Sequence, residues 1–448
     1  NVDVSVSGGN AKTTYYVGGS YNDQTGVIRT NAMRKANLKA KVTQKFAKWL
    51  EVGANVSGNY MKNDQIPGSN IGSSILERLI HQRPIDHVYT PGGGYYTGGT
   101  PQLTFHNPAQ ILDEQIAYIE NYRILGNFFA KFNFFDDKLQ IQANYNADLS
   151  FTYDYTYYNE NHPYGTGVGR LVEAYRHVPN TTFEVYANYN DKFGDVDFSA
   201  MLGHSYQDVT RKQNYVDVRG FPSPSFNIVN AAAEFYNVTG TLNEYAMESY
   251  FGRITAGYKD RYMLTATLRT DGSSKFAKGN RWAFFPAVSV GWRIDKENFM
   301  QNVRAVDVLK LRGSVGEMGN QAIGNYEYLM AVLANKSYNY SFGDVLSGGA
   351  AIKDFVDENI SWETTRTYNL GLDFEAFDHR LLFSVDLYKK RTEGILRDVK
   401  IPAQIGNLNG PKQNIGVVAN DGDVSALAGA MGLGENGIMG IAMGTSEA

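Results

Sequence analysis

The stretch Leu139–Tyr157, LQIQANYNADLSFTYDYTY, alternates between apolar and polar residues along its whole length. Its odd positions are aliphatic or aromatic, and its even positions, from Gln140 to Thr156, are all polar. Because successive side chains of a strand point to opposite faces, this stretch predicts a strand with one apolar and one polar face. At about 3.3 Å per residue it would be about 60 Å long, whereas soluble strands usually have about 3–10 residues. A membrane crossing takes about 9–11 tilted residues, so we expect this strand to cross a membrane and continue outside it.

The same alternation recurs along the chain, with small or charged residues on the second face. That face carries Arg253, Arg269, Arg293 and Arg312, which a dry core would not hold together, so it indicates a hydrated lumen. Strand and turn signals predict about fourteen strands. They cover residues 1–7, 12–21, 35–46, 50–60, 122–135, 139–157, 171–190, 195–206, 247–258, 262–270, 282–294, 308–316, 364–374 and 381–391.

The connections between these strands fall into two alternating classes. One class is tight, as at Gly8–Asn10 or Lys259–Arg261, and the other is long, as at 61–121, 207–246 and 317–363. A medium-length link at 295–307 stands in a short-link position. Short turns at one rim and long loops at the other are typical of outer-membrane barrels. The pattern predicts an all-β fold, a transmembrane antiparallel up-and-down β-barrel with long extracellular loops.

Composition agrees with this fold and excludes other classes. The 448 residues include 31 Tyr, 24 Phe and no Cys, and the mean hydropathy is -0.37. No run of about 18 apolar residues predicts a transmembrane helix, but a barrel needs only every second residue to be apolar. The net charge of -4 gives no basic surface for nucleic acid.

Motifs for catalysis, cofactors and metals are lacking. The seven His have no metal-site spacing, no Ca²⁺-loop ligand run occurs, and Ala287–Gly291 lacks the first Gly of a nucleophile elbow. Gly432–Gly437 matches the dinucleotide fingerprint in form, but the chain ends before the acidic residue expected about 20 positions later. We therefore expect no enzymatic activity, no cofactor and no metal.

Four segments resemble the SusC/RagA family of TonB-dependent outer-membrane transporters. The most extended spans residues 248–294 and reads ESYFGRITAGYKDRYMLTATLRTDGSSKFAKGNRWAFFPAVSVGWRI. The others are NVDVSVSGGNAKTTYYVGGSYNDQTGVI at the start, KWLEVGANVSGNY at 48–60 and SWETTRTYNLGLDFEAFDHRLLFSVDLYKKRTEGIL at 361–396. They lie in the family's order and span most of the chain.

The resemblance implies a 22-stranded barrel, of which residues 1–422 would supply about 14 strands. It also implies an N-terminal plug domain and a TonB box, which would contact the TonB–ExbB–ExbD machinery through an N-terminal segment missing from this sequence. A SusD-like surface lipoprotein would cover the extracellular mouth. Residues 423–448 become rich in Ala, Gly and Met, and we expect an atypical tail that is not native to the barrel. With two open sheet edges, the isolated chain is expected to aggregate or stay unfolded.

Candidate ligand-binding residues are loop aromatics, because flat rings can stack on sugars or peptide side chains. They are Tyr95, Tyr96, Tyr338 and Tyr340, and the alternative is that they pack within their loops or contact the lipoprotein. Ser74–Glu77 reads as a capping box that begins a loop helix. Trp282 and Trp292 are expected to anchor the membrane boundary.

The resemblance implies import of an oligomeric nutrient through the outer membrane, with a glycan favoured over a peptide. Outer-membrane lipid, the lipoprotein and an oligosaccharide or peptide ligand are the expected partners, and nucleic acid is not. Two alternatives stay open. One is a passive porin or adhesin barrel, and the other is a secreted β-protein that binds carbohydrate.

Overall fold

A computed structural model describes residues 1–66, 75, 79–80, 82–96, 107–333, 339–352, 354–402, 404, 410–430 and 438–445. The structure is nearly all β. The first twelve strands are β1 Val2–Gly9, β2 Thr13–Thr25, β3 Ala32–Ala47, β4 Leu50–Asp64, β5 Gln115–Phe134, β6 Leu139–Tyr158, β7 Arg170–Phe193, β8 Val196–Arg219, β9 Glu234–Tyr258, β10 Tyr262–Ser273, β11 Trp282–Arg293 and β12 Val306–Asn320.

The remaining strands are β13 Val332–Leu333, β14 Tyr340–Phe342, β15 Val345–Ser347, β16 Ala351–Ile352, β17 Glu363–Ala376, β18 Leu381–Glu393, β19 Leu396–Asp398, β20 Lys412–Asn414, β21 Val417–Ala430 and β22 Ile438–Thr445. A short helix, α1, spans Pro108–Asp113, and 3-10 turns lie at Val229–Ala231, Ile294–Lys296 and Asn298–Met300. In the sequence-predicted helix after Ser74, the described residues Ile75, Leu79 and Ile80 are helical.

One sheet holds sixteen of these strands in sequential order, from β1 to β12 and then β17, β18, β21 and β22. All of its described registers are antiparallel, as in β2 with β3 or β10 with β11. Three two-stranded pairs, β13–β16, β14–β15 and β19–β20, lie in the connections. The prediction of an up-and-down antiparallel sheet is therefore confirmed, and each of the fourteen predicted strands is present.

Two predicted boundaries are wrong. The predicted connection 207–246 is mostly strand, because β8 continues to Arg219 and β9 begins at Glu234. The β8 extension has polar residues on both faces, so period-two alternation does not reveal it, whereas backbone hydrogen bonding between neighbours does not depend on side-chain polarity. The β9 extension does alternate, with Tyr236, Val238 and Leu242 between polar residues, and the prediction missed it. The predicted loop 61–121 likewise shortens to 65–114, because β4 and β5 extend into it.

In the Ala, Gly and Met-rich segment after residue 422, residues 423–430 and 438–445 belong to the sheet. β21 pairs with β18 from Val417 to Ala430, and β22 pairs with β21. An edge strand offers a free row of backbone donors and acceptors, so pairing there requires no alternation of side chains.

The short connections are tight turns with left-handed residues. Lys259 and Asp260 have φ of 53°, and the turn Phe377–His379 has φ between 56° and 61°. Type I′ hairpin turns require positive φ at both central residues, because only then does the turn match the twist of the strands. The short links alternate with long ones in chain order, as predicted.

The described chain forms two compact units. The first comprises Asn1–Ala130, Asn144–Thr182 and Asp208–Glu244, and the second comprises Lys131–Ala143, Phe183–Gln207 and Tyr245–Ala448. Buried apolar clusters of the described residues lie beside the long connections. The Ile111 cluster (Ile75, Ile111, Leu112) and the Tyr155 cluster (Tyr155, Tyr157, Leu171, Val218) belong to the first unit, and the Trp362 cluster (Phe276, Phe285, Ile323, Ile360, Trp362) belongs to the second.

Candidate functional site

The sheet of the second unit has two chemically distinct faces. One cross-strand row runs through hydroxyls and an amide, namely Thr255, Thr265, Ser289, Ser314 and Asn369. The row one residue away, on the opposite face, is apolar: Ile254, Ala266, Val288, Val315 and Tyr368. Ile254 is 49% exposed and Val288 is 41% exposed. An apolar face left this open is what lipid contact requires.

The polar face of the second unit holds a charged cluster around Arg312. Its guanidinium donates to both oxygens of Asp386 at 2.6 and 2.7 Å and to Asp373 Oδ2 at 3.1 Å. Ser384 Oγ donates to Asp373 Oδ1 at 2.8 Å. The side chain lies over Gly371, where a Cβ would be 2.5 Å from Arg312 Cζ. One cation lies between two carboxylates, so the cluster has a formal charge of −1.

Two of the other three arginines on the predicted polar face are also paired, and Arg253 is not among them. Arg269 Nε donates to Asp271 Oδ1 at 2.8 Å, and Arg293 forms a bidentate pair with Asp295 at 2.7–2.8 Å. The sequence predicted that these arginines share a hydrated face, and the structure adds the carboxylates that accept from them.

The first unit has a polar face built largely from amides and hydroxyls. Asn127 donates to Asn146 Oδ1 at 2.7 Å, and Asn121 donates to Ser150 and Thr152 at 3.1 and 2.8 Å. A cleft of about 420 Å³ opens on this face, with lining residues that include Lys39, Asn55, Ser57, Asn127, Asn146, Asp148, Asn180 and Thr182. Amides and hydroxyls both donate and accept hydrogen bonds, so this wall suits a polar, uncharged or partly charged solute.

Tyr95 and Tyr96 lie in a folded part of the 65–114 connection. Tyr95 Oη donates to Asp113 Oδ2 at 2.8 Å, and its ring is 5.5 Å from that of Tyr89. Burial, together with the bond to Asp113, raises the pKa of Tyr95 to about 12. The Tyr96 carbonyl accepts from Asn107 Nδ2 at 3.1 Å. The loop therefore holds both residues through its own contacts, and ligand stacking by them stays a prediction.

Asn107 explains why this connection folds. Its Oδ1 accepts from the Ala109 N–H at 2.9 Å and so caps α1. At the other end of α1, Asp113 forms an ion pair with Arg29 at 2.8 Å. The helix thus joins the 65–114 connection to the 26–31 connection.

Tyr340 lies at the start of the small hairpin β14–β15 and is 55% exposed. The hairpin exposes further large apolar side chains, with Phe342 at 79%, Val345 at 66% and Leu346 at 71%. Such an exposed apolar group marks an interaction surface. Tyr338, the fourth predicted residue, lies outside the described residues.

Lys275 is a residue that the sequence did not single out. It lies beside the Trp362 cluster, and its Nζ donates to the Ile323 carbonyl at 3.0 Å. Burial lowers the pKa of Lys275. Trp362 Nε1 donates to the Arg281 carbonyl at 2.8 Å. These contacts hold the 274–281 and 321–362 connections together, so Lys275 and Trp362 act as structural residues.

Aromatic side chains line both ends of the apolar face of β11. Trp282 is 49% exposed, and its ring centroid lies 6.0 Å from that of Tyr250. Trp292 Nε1 donates to Glu297 Oε1 at 3.0 Å, and Tyr262 Oη donates to the same oxygen at 2.6 Å. The bond from Tyr262, and then that from Trp292, holds the pKa of Glu297 below its usual range. Amphipathic rings with polar partners are typical of a membrane–water boundary.

The first unit carries a comparable belt of ring pairs across β4 to β7. The pairs are Tyr60–Tyr122 at 4.9 Å, Tyr118–Tyr155 at 4.9 Å, Tyr153–Tyr175 at 4.6 Å and Phe151–His177 at 4.4 Å. Offset or tilted rings at these distances attract one another beyond their burial. The belt begins on β6 where the apolar side chains give way to tyrosines.

Within the described ranges, no helix is long and apolar enough to span a membrane. The same residues contain no group of three or more His, Asp or Glu side chains placed to hold a metal ion.

Known proteins similar to this chain share one family. The family model described as "TonB dependent receptor-like, beta-barrel" matches residues 78–423. TonB-dependent receptor P3 of Formosa agariphila is 31% identical over 435 residues, which cover 94% of this chain and 42% of that protein. TonB-dependent receptor SusC of Bacteroides thetaiotaomicron is 30% identical over 446 residues, which cover 94% of this chain and 43% of that protein.

A solved structure of the RagAB peptide transporter is similar in fold. It superimposes with a TM-score of 0.83 at 26% identity, and the match covers 96% of this chain and 48% of that one. The chain therefore spans less than half the length of the relatives that it matches.

Proposed function

The chain belongs to the TonB-dependent receptor-like β-barrel family and is of the SusC/RagA type, and from this premise we propose that it forms the wall of an outer-membrane importer. The observation that carries the proposal is the pair of opposed rows, in which Ile254, Val288 and Val315 stay exposed behind a hydroxyl and amide face. A secreted soluble β-protein would cover that apolar row, because exposed apolar surface favours association.

The membrane position follows from Trp282 and Trp292. They are ten residues apart on one face of β11, so they are separated by about 33 Å along the strand. A strand tilt of about 45° reduces this to about 23 Å across the membrane, which matches the apolar band of about 25 Å in such barrels. We place the two ring systems at opposite surfaces of the outer membrane.

The cargo in this proposal is an oligomeric nutrient, and its passage involves no covalent chemistry. The amide-lined cleft and the paired charges around Arg312 give the polar face many donors and acceptors without a large net charge. Such a face supports repeated weak hydrogen bonds with a glycan, which we favour over a peptide. Tyr95, Tyr96, Tyr338 and Tyr340 remain candidates for ring stacking at the long connections.

A surface lipoprotein of the SusD type is the proposed partner at the long connections. The β14–β15 hairpin supports this assignment, because Tyr340, Phe342 and Val345 are exposed on one of its faces and lie in one of the longest connections. Energy would come from TonB–ExbB–ExbD through a segment outside this chain.

The test is uptake by a Gram-negative host that expresses the full-length protein. Fluorescent oligosaccharides and oligopeptides of matched length are offered to cells with and without a functional TonB protein. We expect the protein in the outer-membrane fraction and uptake only when TonB is functional.

Two results would reject the proposal in favour of its alternatives. Uptake that persists without TonB would identify a passive porin, and recovery of the protein in the soluble medium would identify a secreted binding protein.

A further inference from the structure

Strand β3 carries a row of lysines on its polar face. Lys35, Lys39 and Lys41 are at odd positions, whereas Leu38, Val42 and Phe46 at even positions are 60%, 44% and 66% exposed on the apolar face. The register places Lys39 opposite Gly18 and Ser57, and Lys41 opposite Tyr16 and Asn55. The lysine row therefore points to the same side as the polar residues of β2 and β4.

No carboxylate partner of these three lysines occurs in the part of the chain that the structure describes. Among the described residues, none of them has an ion pair or a side-chain hydrogen bond. Three arginines of the same compact unit differ from them, since each pairs with an aspartate: Arg123–Asp148, Arg170–Asp217 and Arg176–Asp154. The polar face of β1–β4 has four lysines, including Lys45, against two carboxylates, Asp3 and Glu51. It therefore has an excess of positive charge.

An aromatic ring lies beside the row. Tyr16 is on the same face and its ring covers Gly18, where a Cβ would lie 2.5 Å from the Tyr16 hydroxyl oxygen. The ring therefore lies along the sheet. Gly18 and Tyr16 are the register partners of Lys39 and Lys41, so Tyr16 and both lysines lie on one face of neighbouring strands.

The spacing of the row fits an extended ligand. Lys39 and Lys41 are two residues apart, about 6.6 Å along the strand, and Lys35 is about 13 Å from Lys39. A single anion needs only one lysine, whereas an anionic oligomer with charges repeated along its length can contact all three lysines.

Resting on the proposed import function, we infer that the lysine row and Tyr16 bind an acidic oligosaccharide, with carboxylate or sulfate groups on its sugars. The ammonium groups bind the anionic substituents, and the Tyr16 ring stacks on a pyranose face. Asn37, Asn55 and Ser57 on the same face serve the sugar hydroxyls. An acidic peptide would use the lysines alone, because it has no flat apolar face to place on Tyr16.

The experiment measures binding by calorimetry to the full-length protein in detergent. The probes are an oligogalacturonate, a chondroitin sulfate oligosaccharide, a maltooligosaccharide of the same length and an oligoglutamate peptide. Lys39→Gln/Lys41→Gln should weaken binding of an anionic oligosaccharide about tenfold, since each exposed charge pair contributes up to about 1 kcal/mol. Tyr16→Ala should weaken the same binding and leave its dependence on salt unchanged, because stacking carries no charge.

Lys45→Gln is the matched control. Lys45 is on the same strand and face, but its Nζ lies 3.9 Å from Glu51 Oε2, so this variant should bind as wild type does. The inference would be overturned if the double variant bound the anionic oligosaccharides as tightly as the wild type does. It would also be overturned if the wild type bound neither anionic oligosaccharide. Binding of the oligoglutamate with no effect of Tyr16→Ala would overturn it in favour of an acidic peptide. If the double variant still takes up the neutral oligomer in a TonB-dependent way, the import function stands even where the proposed acidic-oligosaccharide site fails.

Discussion

At the scale of single residues, alternation identifies the face of a side chain but not its partner. The four arginines predicted to share a hydrated face include Arg312, which lies with Asp373 and Asp386. These carboxylates are 61 and 74 residues away in sequence, so only the order of the strands brings them to Arg312. The unpaired state of the lysine row was hidden from the sequence for the same reason.

Replacing Arg312 by Gln should destabilise the protein. The change removes the cation that separates Asp373 from Asp386 and leaves two carboxylates facing each other. Because Arg312 is one-third exposed, we expect a loss of about 2 kcal/mol, between the values for exposed and buried ion pairs. The free energy of unfolding in urea, measured on the full-length protein in lipid, provides the check.

Arg253→Gln is the control for that measurement. Arg253 is on the same face, opposite Thr267, and has no ion pair among the described residues. Its replacement should change the free energy of unfolding by less than about 0.5 kcal/mol. An equal loss in both variants would mean that the effect is not due to the Asp373 and Asp386 carboxylates.

His379 gives the short turn after β17 a dependence on pH. Its Nδ1 lies 2.6 Å from Glu375 Oε2, and this bond raises the pKa of His379 above its ordinary value of 6.5. The stabilisation is therefore complete below the unfolded-state pKa and is lost as pH rises through the folded-state pKa.

His379→Asn tests this, because Asn tolerates the φ of 59° at that position. Thermal midpoints of wild type and variant should differ at about pH 5.5 and converge at about pH 8.5, on either side of the ordinary histidine range. A difference that is the same at both pH values would show that the bond to Glu375 is not the cause.

The sequence predicted the polar and apolar faces of the strands better than it predicted the ligand-binding residues. Tyr95 was chosen because it follows three glycines in a long connection, but its bond to Asp113 comes from a helix that the sequence did not predict there. Tyr16 was not chosen, since it appeared as one more aromatic residue in a strand. Its position over Gly18 depends on packing within the sheet, which no local pattern shows.

At the scale of elements, the period of two predicted each strand whose faces differ in polarity. It failed where both faces are polar, as in the outer part of β8, and where Ala and Gly interrupt the alternation, as in β21. The predicted turns at Lys259–Arg261 and 375–380 were found, because their short polar segments must reverse the chain between two long strands. Strand ends are set by pairing with a neighbour, and pairing is not local information.

The depth of Trp282 and Trp292 tests the membrane-spanning segment of β11. In full-length variants that keep one Trp each, with every other Trp replaced by Phe, we expect Trp282 and Trp292 to be quenched more by lipids brominated near the headgroup than near the chain end. Leu268→Trp, on the same face and opposite Pro286, should show the reverse order because it lies near the bilayer centre. Equal quenching of all three positions by both lipids would contradict the assignment.

At the scale of the whole molecule, the account depends on a sheet that separates two solvents. The sequence predicted this arrangement from alternation and from the sorting of connection lengths, and the register of β9 to β12 and β17 supports it row by row. The family followed from extended resemblance and is confirmed by the match over residues 78–423. The cargo did not follow from either, because it depends on side chains brought together from distant strands.

Cysteine scanning along β10 tests this separation most directly, since the chain contains no Cys of its own. In the full-length protein in intact outer membranes, with every Cys outside these 448 residues replaced by Ser, a small water-soluble maleimide should label Thr265→Cys and Thr267→Cys. Ala266→Cys and Leu268→Cys should stay unlabelled until detergent replaces the lipid, because their side chains lie on the opposite face. Labelling that rises and falls with period two is the predicted result. Equally rapid labelling of all four positions in the membrane would contradict the account.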